Sequence, residues 1–234
     1  MIGRPVPRLD LERQVTGQIR YGSDVREPEG ALVAVLARCP VFGGTVRDFD
    51  PAPALAVPGV KQVIQVAQGV AVLAETTWQA MAGRSALHVE WNEGSLAGVS
   101  SEDLEQQLRT LGAGAGREAH REGSGAGGLA DAAQVISAEY DLPFLAHACM
   151  EPMNCTALVT DQEVVVWVPT QNQAAPALFG GGSRGVAAKV AGVSQERVTV
   201  HTTNLGGGFG RRSETDFVAE AVGIAKAAGV SVRL

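Results

Sequence analysis

Three short stretches hold the residues best suited to chemistry. "NLGGGFGRRSETDF", Asn204 to Phe217, sets four glycines around one phenylalanine, then a double arginine and a helix-like run. Glycine lets backbone approach a ligand without a Cβ in the way and tolerates positive φ, so several N–H groups can converge. A following helix N-terminus and the charges of Arg211 and Arg212 would welcome an anion. The spacing fails both common phosphate patterns, however. No Lys-Ser/Thr follows as in a P-loop, and the third glycine of a dinucleotide fingerprint would fall where Arg211 stands. A tight structural turn and an anion or cofactor loop both remain open on spacing alone.

"AHACMEPMNC" gathers His147, Cys149, Glu151, Asn154 and Cys155 within a few positions. The paired cysteines of structural zinc sites are missing. A thiol nucleophile would use Cys149 or Cys155 with His147 as base, but nearness in sequence does not place side chains within hydrogen-bond reach. A small buried cysteine serving as apolar filler is the commoner case. "VPTQN" brings Gln171 and Asn172 to the exit of a strand that is apolar on both faces, a place where a neutral amide can donate to an oxo group or accept from a hydroxyl. An ordinary polar loop is the alternative there. His88, His120 and His201 are isolated.

The elements that must position these residues form two patterns. From Ala31 to Asn92, "ALVAVLAR", "VKQVIQV" and "GVAVLAET" read as strands. "DPAPALAVPG" suits a short helix, and "TTWQAMAGRSAL" a longer one with Trp78, Met81, Ala82 and Leu87 near one face. "HVEW" closes a β-α-β-β-α-β unit. "SSEDLEQQLRTL" predicts an exposed, serine-capped helix. Gly112 to Gly128 is glycine-rich and nearly free of large apolar side chains, which marks a linker and a domain boundary.

The second pattern begins with "AQVISAEYDLP" as a strand, followed by "TALVTDQEVVVWVPTQN" with a hairpin turn at Asp161-Gln162. "SRGVAAKVAG" predicts a helix ending at Gly192, and "RVTVHTTNL" an alternating strand. Ser213 to Ala228 predicts a helix capped near Ser213 or Thr215 and closed by Gly229. "VSVRL" begins a further strand, which suggests part of a longer protein.

Composition narrows the function. With 45% hydrophobic and 19% charged residues the chain is globular rather than disordered. A net charge of −6 without a long basic run argues against a nucleic-acid partner. Three cysteines, Cys39, Cys149 and Cys155, make a disulfide framework improbable and are too few to ligate an iron–sulfur cluster. No apolar run has the length of a membrane span. No signal peptide is seen at the N-terminus, so the chain as written is expected in the cytoplasm, or in the periplasm if an export segment precedes it.

Taken in order, "AHACMEPMNC", "WVPTQN" and "LGGGFGRR" resemble the molybdopterin-binding large subunit of the xanthine oxidase family, of the isoquinoline 1-oxidoreductase beta-subunit type. "VTGQIRYGSDV" through "GVAVLAETTWQAMAGRSALHVEWNEG" resembles the a/b hammerhead domain that precedes the cofactor domain in those proteins. The resemblance implies an α+β fold, with the hammerhead domain over 1–96, a helix and glycine-rich linker over 97–133, and the truncated first part of a molybdopterin-binding domain over 134–234.

The resemblance further implies a molybdenum ion held by molybdopterin, often as the cytosine dinucleotide. The implied reaction is oxidative hydroxylation of an N-heterocycle or aldehyde with water as oxygen source, electrons passing to an iron–sulfur small subunit. Carried over by position, Gln171 matches the glutamine that hydrogen-bonds an oxygen ligand of molybdenum. Gly207, Gly208, Phe209 and Gly210 match the loop whose backbone lies against metal and dithiolene. Arg211 and Arg212 follow the arginine pair of this type, where xanthine dehydrogenases have Gly-Lys, and take no assigned contact. The family's catalytic glutamate is expected beyond Leu234, and Glu151 is not assigned that role. The chain is therefore expected to work only with the missing part of the large subunit. A non-catalytic remnant or assembly module that binds no cofactor is the alternative, and a free-standing nucleotide-binding domain a third.

Overall fold

The computed structural model describes residues 2–175 and 180–234. Its fold is α+β. After a short helix α1 (Leu11–Val15) come β1 (Leu32–Ala37), β2 (Thr45–Asp50), α2 (Ala52–Leu55), β3 (Val60–Val66), β4 (Gly69–Ala74), α3 (Thr77–Ala86) and β5 (His88–Asn92). Then follow α4 (Ser101–Gly112), α5 (Gly125–Ala130), β6 (Thr156–Val159), β7 (Val164–Val168), α6 (Gly182–Ala191), β8 (Val198–Thr202), α7 (Asp216–Ala228) and β9 (Val232–Arg233).

One seven-stranded sheet in the order β3-β4-β1-β9-β6-β7-β8 takes strands from both halves of the chain. β9 makes the junction, pairing parallel to β1 through Leu32 and Val232 and antiparallel to β6 through Ala157 and Val232. The chain accordingly divides into one compact unit of Met1–Gly94 with His147–Leu234 and a second of Ser95–Ala146. β2 and β5 form a separate two-stranded ladder.

Side-chain alternation along β1 explains how the sheet is covered. Ala34 and Leu36 join the larger core with Phe217, Ala221 and Ile224 of α7, while Val33 joins Ala80 of α3. Each large apolar side chain buried this way contributes about 1.5–3 kcal/mol. α7 is bracketed as expected, with Thr215 at its N-cap position and Gly229 closing it at φ +67°. The hairpin at Asp161-Gln162 is present, held by Thr160 N donating to Glu163 O at 3.0 Å. α6 ends at Gly192, also in the left-handed region.

Three local expectations are corrected, and one strand goes beyond them. "AQVISAEYDLP" forms no strand, and its backbone has no ladder partner among the described residues. "TVRDFD" is a strand, β2, although polar and mostly exposed, because β5 supplies its ladder. "HVEW" therefore pairs with β2 and does not close the main sheet. α3 packs through Ala80 and Gly83, leaving Trp78 77% and Met81 50% exposed. Approach is close there: a Cβ on Gly83 would lie 2.8 Å from both Val60 and Val72.

In the second unit, Ser100 caps α4 in a reciprocal box with Asp103. Arg109 on the same helix pairs with Glu105, Glu139 and Asp141.

Candidate functional site

β7 and β8 run parallel, and their C-terminal ends deliver the two loops of interest side by side. This is the end of a parallel pair at which ligand loops collect. Beyond β7, Thr170 is buried and its hydroxyl donates to Arg212 O at 3.2 Å. Gln171 N donates to the same carbonyl at 3.1 Å, so the backbone of the glutamine is tied to the far end of the glycine loop. Ser183, fully buried at the start of α6, bonds Thr170 Oγ1 at 3.1 Å and Asn172 O at 2.8 Å and closes the loop from behind.

The Gln171 side chain then reaches the glycine loop. Gly210 N donates to Gln171 Oε1 at 3.2 Å, and the Gln171 amino group, Nε2, has no acceptor among the described residues. Its two donors are left for something else. Gly207 and Gly210 lie at φ +96° and +85°, where a side chain would be strained. A Cβ on Gly208 would fall 2.5 Å from Gln171 Oε1, whereas one on Gly210 would meet nothing within 4 Å. Phe209 takes φ +51° despite its side chain and holds its ring 72% exposed. Gln171, Gly207, Gly208, Phe209 and Gly210 are thus brought together.

Behind the loop lies a feature that motif spacing does not disclose. Arg212 is 0% exposed. Its Nε donates to Gly207 O at 2.7 Å, Nη1 to Pro169 O at 3.3 Å, and Nη2 to Glu151 O at 2.7 Å and Glu151 Oε2 at 3.0 Å. Glu151 Oε2 also accepts from Gly206 N at 2.8 Å. Its Oε1 accepts from Ser23 N at 2.9 Å and Asn154 Nδ2 at 3.0 Å. The signal in the sequence is one acid inside "CMEPMNC" and a doubled arginine after glycines. Arg211, by contrast, turns outward to Asp216, with hydrogen bonds of 2.8 and 2.6 Å at the start of α7.

The remaining residues of "AHACMEPMNC" do not assemble a second centre. Cys149 Sγ donates to Gly208 O at 3.5 Å. Cys155 is in the core, where burial pushes its thiol up and keeps it protonated. No group of three His, Cys, Asp or Glu able to hold a metal occurs among the described residues. No helix among them is long and apolar enough to cross a membrane. A cavity of about 440 Å³ opens between Arg26, Val33 and Arg233, lined in part by Ser23 and Asn154 but not by Gln171 or Phe209.

A glycine loop open at Gly210 thus faces a glutamine amide at the ends of two parallel strands. Residues 112–234 match the molybdopterin cofactor-binding domain, which is more than half of the chain, and the chain belongs to that family.

Among curated relatives, the chain is 28% identical over its whole length to the beta subunit of isoquinoline 1-oxidoreductase of Brevundimonas diminuta. It is 30% identical over its whole length to a nicotinate dehydrogenase subunit of Pseudomonas putida. It spans 30% and 20% of the lengths of those two relatives. Among solved structures, quinoline 2-oxidoreductase from Pseudomonas putida 86 shares the fold at a TM-score of 0.70 and 22% identity, covering 99% of this chain and 34% of that one. Aldehyde oxidoreductase from Desulfovibrio gigas does so at 0.69 and 18%, covering 97% and 29%. The xanthine-oxidase-family resemblance thus holds at the level of family and fold.

Proposed function

We propose that this chain forms one wall of a molybdenum–molybdopterin site in a molybdenum hydroxylase large subunit. The first part, 1–96, would be its hammerhead domain. The observation that carries this reading is a Gln171 amino group with no acceptor among the described residues, beside a glycine loop that is open at Gly210, in a chain of the molybdopterin cofactor-binding family. The residues fit the group: Gln171 Nε2 could donate to an oxygen ligand, and the backbone at Gly210, where a Cβ would meet nothing within 4 Å, would let the dithiolene approach.

When bound, the cofactor, in its cytosine dinucleotide form by our reading, supplies the two-electron redox chemistry of hydroxylation. The chain's own residues bind and orient. Gln171 is fixed at its backbone by Arg212 O and at its Oε1 by Gly210 N, so its free donors have a set direction. Such preorganised donors need no rearrangement when a ligand arrives. Phe209 presents an aromatic face beside them. Glu151 does not serve as the base, since both its oxygens already accept two hydrogen bonds each. The base is expected from the rest of the large chain.

The substrate class that fits the relatives is an N-heterocycle or an aldehyde, with water as oxygen source and an iron–sulfur small subunit as electron acceptor. Purifying the chain alone and with the polypeptide that completes the large subunit, then measuring molybdenum and pterin fluorescence, tests the reading. Metal and pterin are expected in the completed preparation. Metal-free protein in both would overturn it.

A further inference from the structure

We infer that Arg212 and Glu151 are positioning residues that hold the Gly206–Gly210 loop in its receiving shape before any cofactor arrives. This rests on the cofactor reading above for its purpose, but its geometry stands on this chain alone.

A buried ion pair is seldom more stabilising than a well-packed apolar pair, because both charges must leave water. What this pair supplies is direction. Glu151 Oε2 takes the amide of Gly206, and Arg212 Nε takes the carbonyl of Gly207, so the pair grips the loop on both sides of the peptide between those residues. Glu151 N in turn donates to Gly206 O at 3.1 Å, making the hold on Gly206 two-sided. The next torsion is φ +96° at Gly207, a conformation that a free glycine segment would leave readily.

The second arm of Arg212 reaches Pro169 O at the exit of β7, two residues before Gln171. The amide donor and the glycine backbone are therefore registered to one guanidinium. Glu151 Oε1 extends the arrangement to Ser23 in the first half of the chain, within the turn Gly22–Asp24. A Cβ on Gly22 would lie 2.5 Å from Asn154 Oδ1, so that turn is pressed against the loop carrying Glu151. Tyr21 bridges to Asn204, and Asn204 Nδ2 donates to Arg20 O at 3.1 Å, fixing the strand that leads into the glycines.

Amide hydrogen exchange on the 234-residue chain tests this without cofactor. Arg212→Met is expected to speed exchange at Gly206 and Gly210 about tenfold or more while Val166 in β7 keeps its protection. Arg212→Lys keeps one charge and donor group and is expected to restore most of the protection. Glu151→Gln should release Gly206 in the same way. If Arg212→Met fails to fold, the double variant Glu151→Leu/Arg212→Met, which buries no charge, is read in its place, with an open loop on a folded sheet expected.

Unchanged Gly206 exchange in Arg212→Met, or in the folded double variant, overturns the inference. So does exchange that rises equally at Gly206 and Val166, since the pair would then be a general stabiliser. Failure of the cofactor reading is recognised separately, as absence of molybdenum from the completed wild-type protein with the exchange pattern intact.

Discussion

Gly208 and Gln171 are packed so closely that a single methyl group on residue 208 would lie 2.5 Å from Gln171 Oε1. The obstacle is the end of a flexible side chain, so Gly208→Ala should fold with a loss under about 1 kcal/mol while pushing the carboxamide aside. In a completed enzyme, turnover should fall and molybdenum content should drop. Gly206→Ala differs, because its Cβ would strike Glu151 Cβ at 2.5 Å with Glu151 backbone just behind. A loss of about 1–3 kcal/mol is expected there. Thermal melts of the two variants, run together, check the contrast, and equal losses would contradict it.

Phe209 sits in the left-handed region with its ring mostly in solvent. That conformation costs a side-chain-bearing residue about 1–2 kcal/mol, and little apolar burial offsets it. Phe209→Gly is therefore expected to leave the melting temperature unchanged or raise it, while lowering turnover of the completed enzyme. A clear drop in melting temperature would show that the ring is held by packing.

Asp216 is half-buried, and burial pushes its carboxyl up, but the Arg211 guanidinium hydrogen-bonded to it draws it down further, for a net lowering. A carboxyl lowered in the folded state adds stability above its unfolded value of about 3.9 and loses it as pH falls through the folded value. Acid unfolding of Asp216→Asn should accordingly be less steep below about pH 4 than that of the parent chain. Identical acid profiles would count against this pairing.

Glu220 on α7 is buried, with its side chain 5% exposed, and receives Arg38 Nε at 2.7 Å from the end of β1, whereas Arg38 is 53% exposed. Truncation should be asymmetric. Arg38→Ala strands a carboxylate in the core and is expected to cost about 2 kcal/mol, while Glu220→Gln returns Arg38 to water at lower cost. Urea midpoints of the two variants measure the difference.

Strongly patterned elements were legible in the sequence. The apolar run Val164–Val168 reads as a buried strand because nearly every side chain in it is covered, and α7 is bracketed by Thr215 and Gly229. β2 was missed because strand propensity sees side chains, and Thr45–Asp50 is held by a ladder to β5. "AQVISAEYDLP" differs for the converse reason, since it has the alternation but no ladder partner among the described residues. Trp78 and Met81 were misplaced because α3 approaches the sheet through its smallest residues. At the candidate site, the family resemblance singles out Gln171 and the glycines, while their spacing alone leaves a structural turn and a polar loop open. The Arg212–Glu151 pair was not legible, because opposite charges meeting across 61 positions leave no periodic trace.

The place of β9 between β1 and β6 also shapes how the fold can be reached. Without Val232 and Arg233 in position, β3-β4-β1 and β6-β7-β8 are two separate three-stranded sheets, each formed from near neighbours in the chain. The pairing of Leu32 with Val232 joins them through one of the longest loop closures available to this sequence. Non-local pairing of this kind is intrinsically slow, and without it the inner edges of β1 and β6 would be open to foreign strands.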